Sequence, residues 1–177
     1  LQHTFKNHGV HIQIQPQGAA PRTLVDVAIR LRDEAEKAAT SQADSNLRYD
    51  ETWIVCDVDE HPDLKQAVQT ATRANIRIAL SDPCFELWYL LHREKTETRW
   101  HRHKLQSHVR KLIGYNGKLC PFGRLHSPAD YNAAVVRSRQ LLAISEATQQ
   151  RNPSTVVHEL TERIRTGAAP VVEKKRK

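Results

Sequence analysis

Trp53-Ile54-Val55-Cys56-Asp57-Val58-Asp59-Glu60-His61 runs a short apolar stretch into three closely spaced carboxylates. Side chains on a strand alternate faces, so Asp57 and Asp59 project to one side at the carboxyl end of a strand that reads as fully buried from Trp53 to Cys56. Open parallel sheets bind ligands at that edge. Paired hard oxygen donors suit Mg²⁺ or Mn²⁺, which take carboxylates and waters and are completed by a phosphate-bearing substrate. Glu60 is the adjacent third donor. The same residues also satisfy a plain polar turn in which Asp caps the following helix. His61 is placed either to meet a phosphate and shuttle a proton or to be a polar loop residue, since position alone offers it no activating partner.

A second constellation follows in Ser81-Asp82-Pro83-Cys84-Phe85-Glu86-Leu87-Trp88-Tyr89-Leu90-Leu91-His92. A Ser or Asp cap, Pro in the first turn and Glu a few residues on form a helix-start signature. The helix is apolar on nearly all sides from Phe85 to Leu91, which predicts deep burial. Glu86 then sits near the sheet edge that carries Asp57 and Asp59, as a capping carboxylate or as a further catalytic group or metal ligand. His92 fits a buried histidine with its hydrogen bonds satisfied.

The basic charge is concentrated. Arg93 to Arg139 holds eleven Lys or Arg against three carboxylates, a local +8, whereas the whole chain carries +7. Such an excess suits a phosphate backbone and predicts affinity that falls steeply with salt. Arg99, Arg102, Lys104, Lys111 and Lys118 are the candidate contacts, and Trp100 and Tyr115 are candidate stacking platforms. Leu105, Val109 and Leu112 mark an amphipathic helix in the same stretch, so a solvated helical face or a protein-docking patch is the competing reading. The histidines here, His101-x-His103 among them, lack the paired spacing of a zinc site, as does the isolated Cys120.

The elements that must position these groups alternate between strand and helix. Val10, Ile12 and Ile14 alternate with polar residues as in a strand. A helix is expected from Arg22 to near Thr40, with Leu24, Val25, Ala28, Ile29, Leu31 and Ala35 inward. The Trp53 strand follows, then a helix opened by Pro62-Asp63 with Leu64, Ala67, Val68 and Ala71 inward, then a strand over Ile76 to Leu80. This alternation predicts an α/β fold with a parallel-sheet core. Ser127-Pro128 opens another helix with Tyr131, Ala134, Val135, Ser138, Leu141 and Leu142 inward, and Asn152-Pro153 is expected to start a last one. The 177 residues contain no run of about 18 apolar residues and no signal-peptide pattern, so no membrane span is expected. Three cysteines without a CxxC pair fit a reducing cytoplasm rather than a disulfide framework.

Taken together, the Trp53 to Pro62 string, the strand Ile76-Arg77-Ile78-Ala79, the Ser81 to His92 string and Asn152-Pro153-Ser154-Thr155-Val156-Val157 resemble the RloB family. The resemblance implies a Toprim-like core flanked by helices, with a C-terminal helical appendage. It implies a metal-dependent nuclease, acting on RNA or DNA in bacterial anti-phage defence and in some systems paired with an AAA-type ATPase. Asp57 and Asp59 match the family's DxD, and Glu86 is the expected supporting carboxylate. A non-catalytic nucleic-acid-binding or ATPase-docking subunit is the competing expectation. The family's Glu-Gly-x-x-Thr-Glu stretch does not occur before Val10; because the chain begins at Leu1 and contains no methionine, its glutamate is expected upstream. Asp82 stands where the family usually shows Asn, and either residue caps a helix. The expected organisation is a core over 1–95, a basic helical region over 96–168 and a mobile basic tail over 169–177.

Overall fold

The structure, a computed structural model, describes residues 12–14, 18–58, 62–114, 125 and 127–167. In chain order its elements are α1 (Pro21–Gln42), a 3-10 turn (Ser45–Leu47), β1 (Trp53–Asp57), α2 (Leu64–Arg73), β2 (Arg77–Asp82), α3 (Glu86–Leu91), α4 (Arg102–Ile113), α5 (Pro128–Thr148), β3 (Ser154–Thr155) and α6 (Val157–Thr166). The fold is mixed α/β, and the described residues form a three-stranded sheet in the order β1-β2-β3. β1 and β2 pair in parallel, as the alternating pattern predicts, through bonds such as the Val58 amide to the Ser81 carbonyl at 2.8 Å. β3 joins antiparallel, with Ser81 opposite Thr155 and Asp82 opposite Ser154.

The described residues fall into two compact units. α1, the 3-10 turn, α2 and the later part of α6 belong to the first; α3, α4, α5 and β3 belong to the second; β1 and β2 begin in the first and end in the second. In the first unit α1 packs on α2. α1 buries Val25, Ala28 and Ala39, and α2 buries Ala67 and Ala71. The same unit holds a polar cluster. The Trp53 indole N–H donates to Glu51 at 2.8 Å, Arg163 also pairs with Glu51, and the Arg77 guanidinium lies over the Trp53 ring. Burial alone would raise the Glu51 carboxyl, but the bonds from Arg163 and Trp53 outweigh it and hold it below its ordinary range.

In the second unit α3 packs against α4, α5 and β3. Leu87, Leu90 and Leu91 are fully buried there with Leu105, Val109 and Ile113 of α4 and Ala134 and Leu141 of α5. The near-continuous apolar character of α3 thus has its expected outcome. Leu112 differs from expectation: it is 39% exposed, and Ile113 turns inward instead. His92 is buried and its Nδ1–H donates to the Trp88 carbonyl at 2.8 Å, while burial pushes its pKa down. Ser127 caps α5 by accepting from the Asp130 amide at 3.0 Å.

Four local expectations are corrected. β1 is not buried throughout; Ile54 is buried but Val55, on the opposite face of the strand, is 42% exposed. Ile12 to Ile14 form no strand, Ile14 is exposed, and Val10 lies outside the described residues. Ser81 and Asp82 do not cap α3, because pairing with β3 holds both extended as the end of β2. Asn152-Pro153 does not open the last helix; the Ser154-Thr155 pair adds to β2 first, and α6 starts at Val157. The tail expected over 169–177 lies outside the described residues.

Candidate functional site

Asp57 ends β1, and its carboxylate is held from two directions. The Phe85 amide donates to Oδ1 at 2.9 Å, and Arg102 Nη2 bonds Oδ2 at 2.6 Å. The first bond explains how the chain enters α3 without a local cap: a carboxylate 28 residues upstream satisfies an amide that the approach to the helix leaves unpaired. The second brings the first turn of α4 onto the same group. Their side chains are 23% exposed for Asp57 and 34% for Arg102, so the pair is reachable from solvent.

Glu86 opens α3 and is buried. Its Oε1 accepts from the Gln106 side-chain amide at 3.2 Å. Arg102 and Gln106 are four residues apart, so they share one side of α4. That side meets both carboxylates, Arg102 on Asp57 and Gln106 on Glu86. Cys84 lies between these groups in sequence and is fully buried; burial, then a hydrogen bond and the charges of Glu86 and Asp57, hold its thiol far above the ordinary range. Such a thiol is no nucleophile.

Asp82, the last residue of β2, is a further carboxylate here. Burial raises its carboxyl above the ordinary range, opposed by the charges of Arg151 and Arg99. Arg99 is exposed in the segment before α4. Lys104 and Lys111, seven residues apart, are both exposed and share a flank of α4 away from Arg102 and Gln106. The candidate phosphate contacts therefore divide into Arg102 at the carboxylates and Lys104 with Lys111 on a solvated flank.

Trp100 is not a free stacking platform. Its ring stacks on His108, its indole N–H donates to Thr96 at 2.9 Å, and its backbone exchanges two hydrogen bonds with the Asn152 side chain at 2.9 and 2.8 Å. His108 in turn pairs with Glu94. Asp59, Glu60, His61, Tyr115, Lys118 and Cys120 lie outside the described residues. Cys56 and Cys84 are not joined in a disulfide among the described residues.

Among the described residues no group of three or more His, Cys, Asp or Glu is arranged to hold a metal ion. The described carboxylates at this edge are Asp57, Asp82 and Glu86, oxygen donors of the kind a hard divalent cation takes.

One serine–histidine contact invites comparison with a hydrolase pair and does not fit one. Ser138 is fully buried, its hydroxyl donates to the Thr155 carbonyl at 2.6 Å, and with that hydrogen committed its oxygen accepts from His158 Nδ1–H at 2.8 Å. Ser81 and Thr155 hydroxyls bond across the strands at 2.8 Å. This is a structural network that ties α5 and the start of α6 to β2 and β3.

Gln106 and the pairing of Arg102 with Asp57 were not legible in the sequence. The i,i+4 spacing of Arg102 and Gln106 beside the apolar stripe of α4 was the available signal, but nothing local says which carboxylates they will meet. No helix among the described residues is long and apolar enough to cross a membrane. A family model described as RloB-like protein matches residues 1–164. Neither the curated proteins nor the solved structures yield a significant match.

Proposed function

We propose, from the premise that the chain belongs to the RloB-like family, that it is a Toprim-type, Mg²⁺- or Mn²⁺-dependent nuclease of bacterial anti-phage defence, acting on RNA or DNA. The observation that supports this reading most is the convergence of Asp57, Glu86 and Arg102 at the carboxyl end of β1 and the entry to α3. In this reading Asp57 and Asp59 hold the metal, with Glu60 adjacent, and Glu86 supports them. A divalent ion bound there would supply charge stabilisation to a phosphate during phosphodiester cleavage. Phe85 N–H orients the Asp57 carboxylate, Arg102 balances its charge, and Gln106 orients Glu86. Arg99, Lys104 and Lys111 supply exposed positive charge for the nucleic-acid backbone. His61 and Lys118 are further phosphate contacts in this reading, and an AAA-type ATPase is the proposed partner.

The engagement of both Asp57 oxygens favours a second reading, a non-catalytic nucleic-acid-binding or ATPase-docking subunit in which Asp57 is structural. One experiment separates the two. A panel of tRNA, total RNA and DNA is incubated with the protein in Mg²⁺ or Mn²⁺, with and without its neighbouring ATPase, beside Asp57→Asn and Asp59→Asn. Cleavage lost in both variants is the expected result. Nucleic acid bound at low salt but uncleaved under every condition overturns the nuclease reading in favour of the second.

A further inference from the structure

We infer that Arg102 is a resident counter-cation of Asp57 that an incoming divalent metal must displace, and that the released guanidinium then takes a phosphate of the nucleic acid. This rests on the metal-binding reading of Asp57 given above.

The geometry carries the first half. Arg102 Nη2 stands 2.6 Å from Asp57 Oδ2, within charge-assisted bonding distance. A guanidinium is always charged, so a dication arriving at the same carboxylate meets direct repulsion at short range. Asp57 does not depend on Arg102 for its place, because the Phe85 amide anchors Oδ1 independently at 2.9 Å. Removing Arg102 therefore leaves an oriented carboxylate with less positive charge beside it. Partial exposure of both side chains lets the arginine leave by rotating about its own side-chain bonds.

The second half follows from the chemistry of the released group. Arginine is suited to phosphate through parallel N–H donors. Arg102 is in the first turn of a helix that also carries exposed Lys104 and Lys111. Metal binding would thus add one cation to the nucleic-acid surface, so that metal and nucleic acid favour each other's binding through one side chain.

The test measures Mn²⁺ binding by the electron paramagnetic resonance of free Mn²⁺, without substrate, for the whole chain and for Arg102→Gln, Arg102→Lys and Asp57→Asn. Arg102→Gln is expected to bind Mn²⁺ roughly tenfold more tightly, the size of effect that removing a like charge from a partly screened site gives. Arg102→Lys, which keeps the charge, is expected to bind as the parent does, and Asp57→Asn to lose binding. Unchanged or weaker Mn²⁺ binding in Arg102→Gln, with Asp57→Asn still impaired, overturns the displacement while leaving Asp57 a ligand. Unchanged binding in Asp57→Asn overturns the metal reading itself and the inference with it. A second arm follows labelled single-stranded RNA and DNA by fluorescence anisotropy across a salt series. Arg102→Gln is expected to lower the salt slope by about one in Ca²⁺ and to leave it unchanged in EDTA. An equal change in both overturns the release.

Discussion

Replacing Asp57 by alanine is expected to destabilise the fold, and replacing it by asparagine to do so far less. Alanine removes the acceptor for the Phe85 amide and the partner of Arg102. A hydrogen bond to a charged acceptor contributes about 1.5 to 3 kcal/mol. The ion pair adds at most about 1 kcal/mol because both side chains are partly solvated and screened. The expected loss for Asp57→Ala is therefore about 2 to 4 kcal/mol. Asparagine keeps a carbonyl oxygen for the Phe85 amide and loses only the charge, a cost of about 0.5 to 1.5 kcal/mol. Urea unfolding at neutral pH reads both. With a slope near 2 kcal/mol/M the alanine midpoint should fall by about 1 to 2 M and the asparagine midpoint by less than about 1 M. A double-mutant cycle with Arg102→Gln should return a coupling of about 0.5 to 1 kcal/mol. Alanine and asparagine variants that agree within about 0.3 kcal/mol would refute the argument that Asp57 caps the approach to α3. The same comparison makes asparagine the cleaner variant for cleavage assays.

Ser138→Ala should cost about 2 to 4 kcal/mol, because it leaves the buried Thr155 carbonyl and His158 Nδ1–H without their partner; a thermal melt indistinguishable from the parent would contradict the network. Asp82→Asn should stabilise the protein at pH 7 by on the order of 0.5 to 1 kcal/mol. The Asp82 carboxyl is raised by burial, so its favourable contribution is present below its unfolded pKa and is lost as pH rises through the folded value, which leaves a buried charge at neutrality. The gain should vanish when urea midpoints are compared below about pH 4, and a variant less stable than the parent at pH 7 would reverse this sign. Ala43→Gly should raise stability by about 0.5 kcal/mol, since Ala43 ends α1 at φ 53°, where a Cβ is unfavourable; calorimetry showing a lower midpoint would count against it.

Local physics made several elements readable in advance. The spacing of Val25 and Ala28, the Ser127-Pro128 start and the unbroken apolar run of α3 each produced the expected helix, because 3.6-residue periodicity, N-caps and hydrophobic burial act within a few residues of chain. The Trp53 and Ile76 stretches likewise produced parallel strands, and the strings around Asp57 and Glu86 already marked both carboxylates and the family. Where local signals competed with pairing, tertiary structure prevailed. Ser81-Asp82 carries a good cap signature, yet opposite Ser154-Thr155 it is strand, since ladder bonds and the buried Ser81 to Thr155 contact outweigh a cap that Asp57 supplies from elsewhere. The sequence alone determined that Asp57 ends a strand, that Glu86 begins a buried helix and that positive charge gathers after Arg93. That Arg102 closes on Asp57 while Lys104 and Lys111 face solvent was decided only by the packing of α4 through Leu105, Val109 and Ile113. The rotation of an amphipathic helix on its core is set by the shape of the surface it meets, and that surface is built from residues far away in the chain.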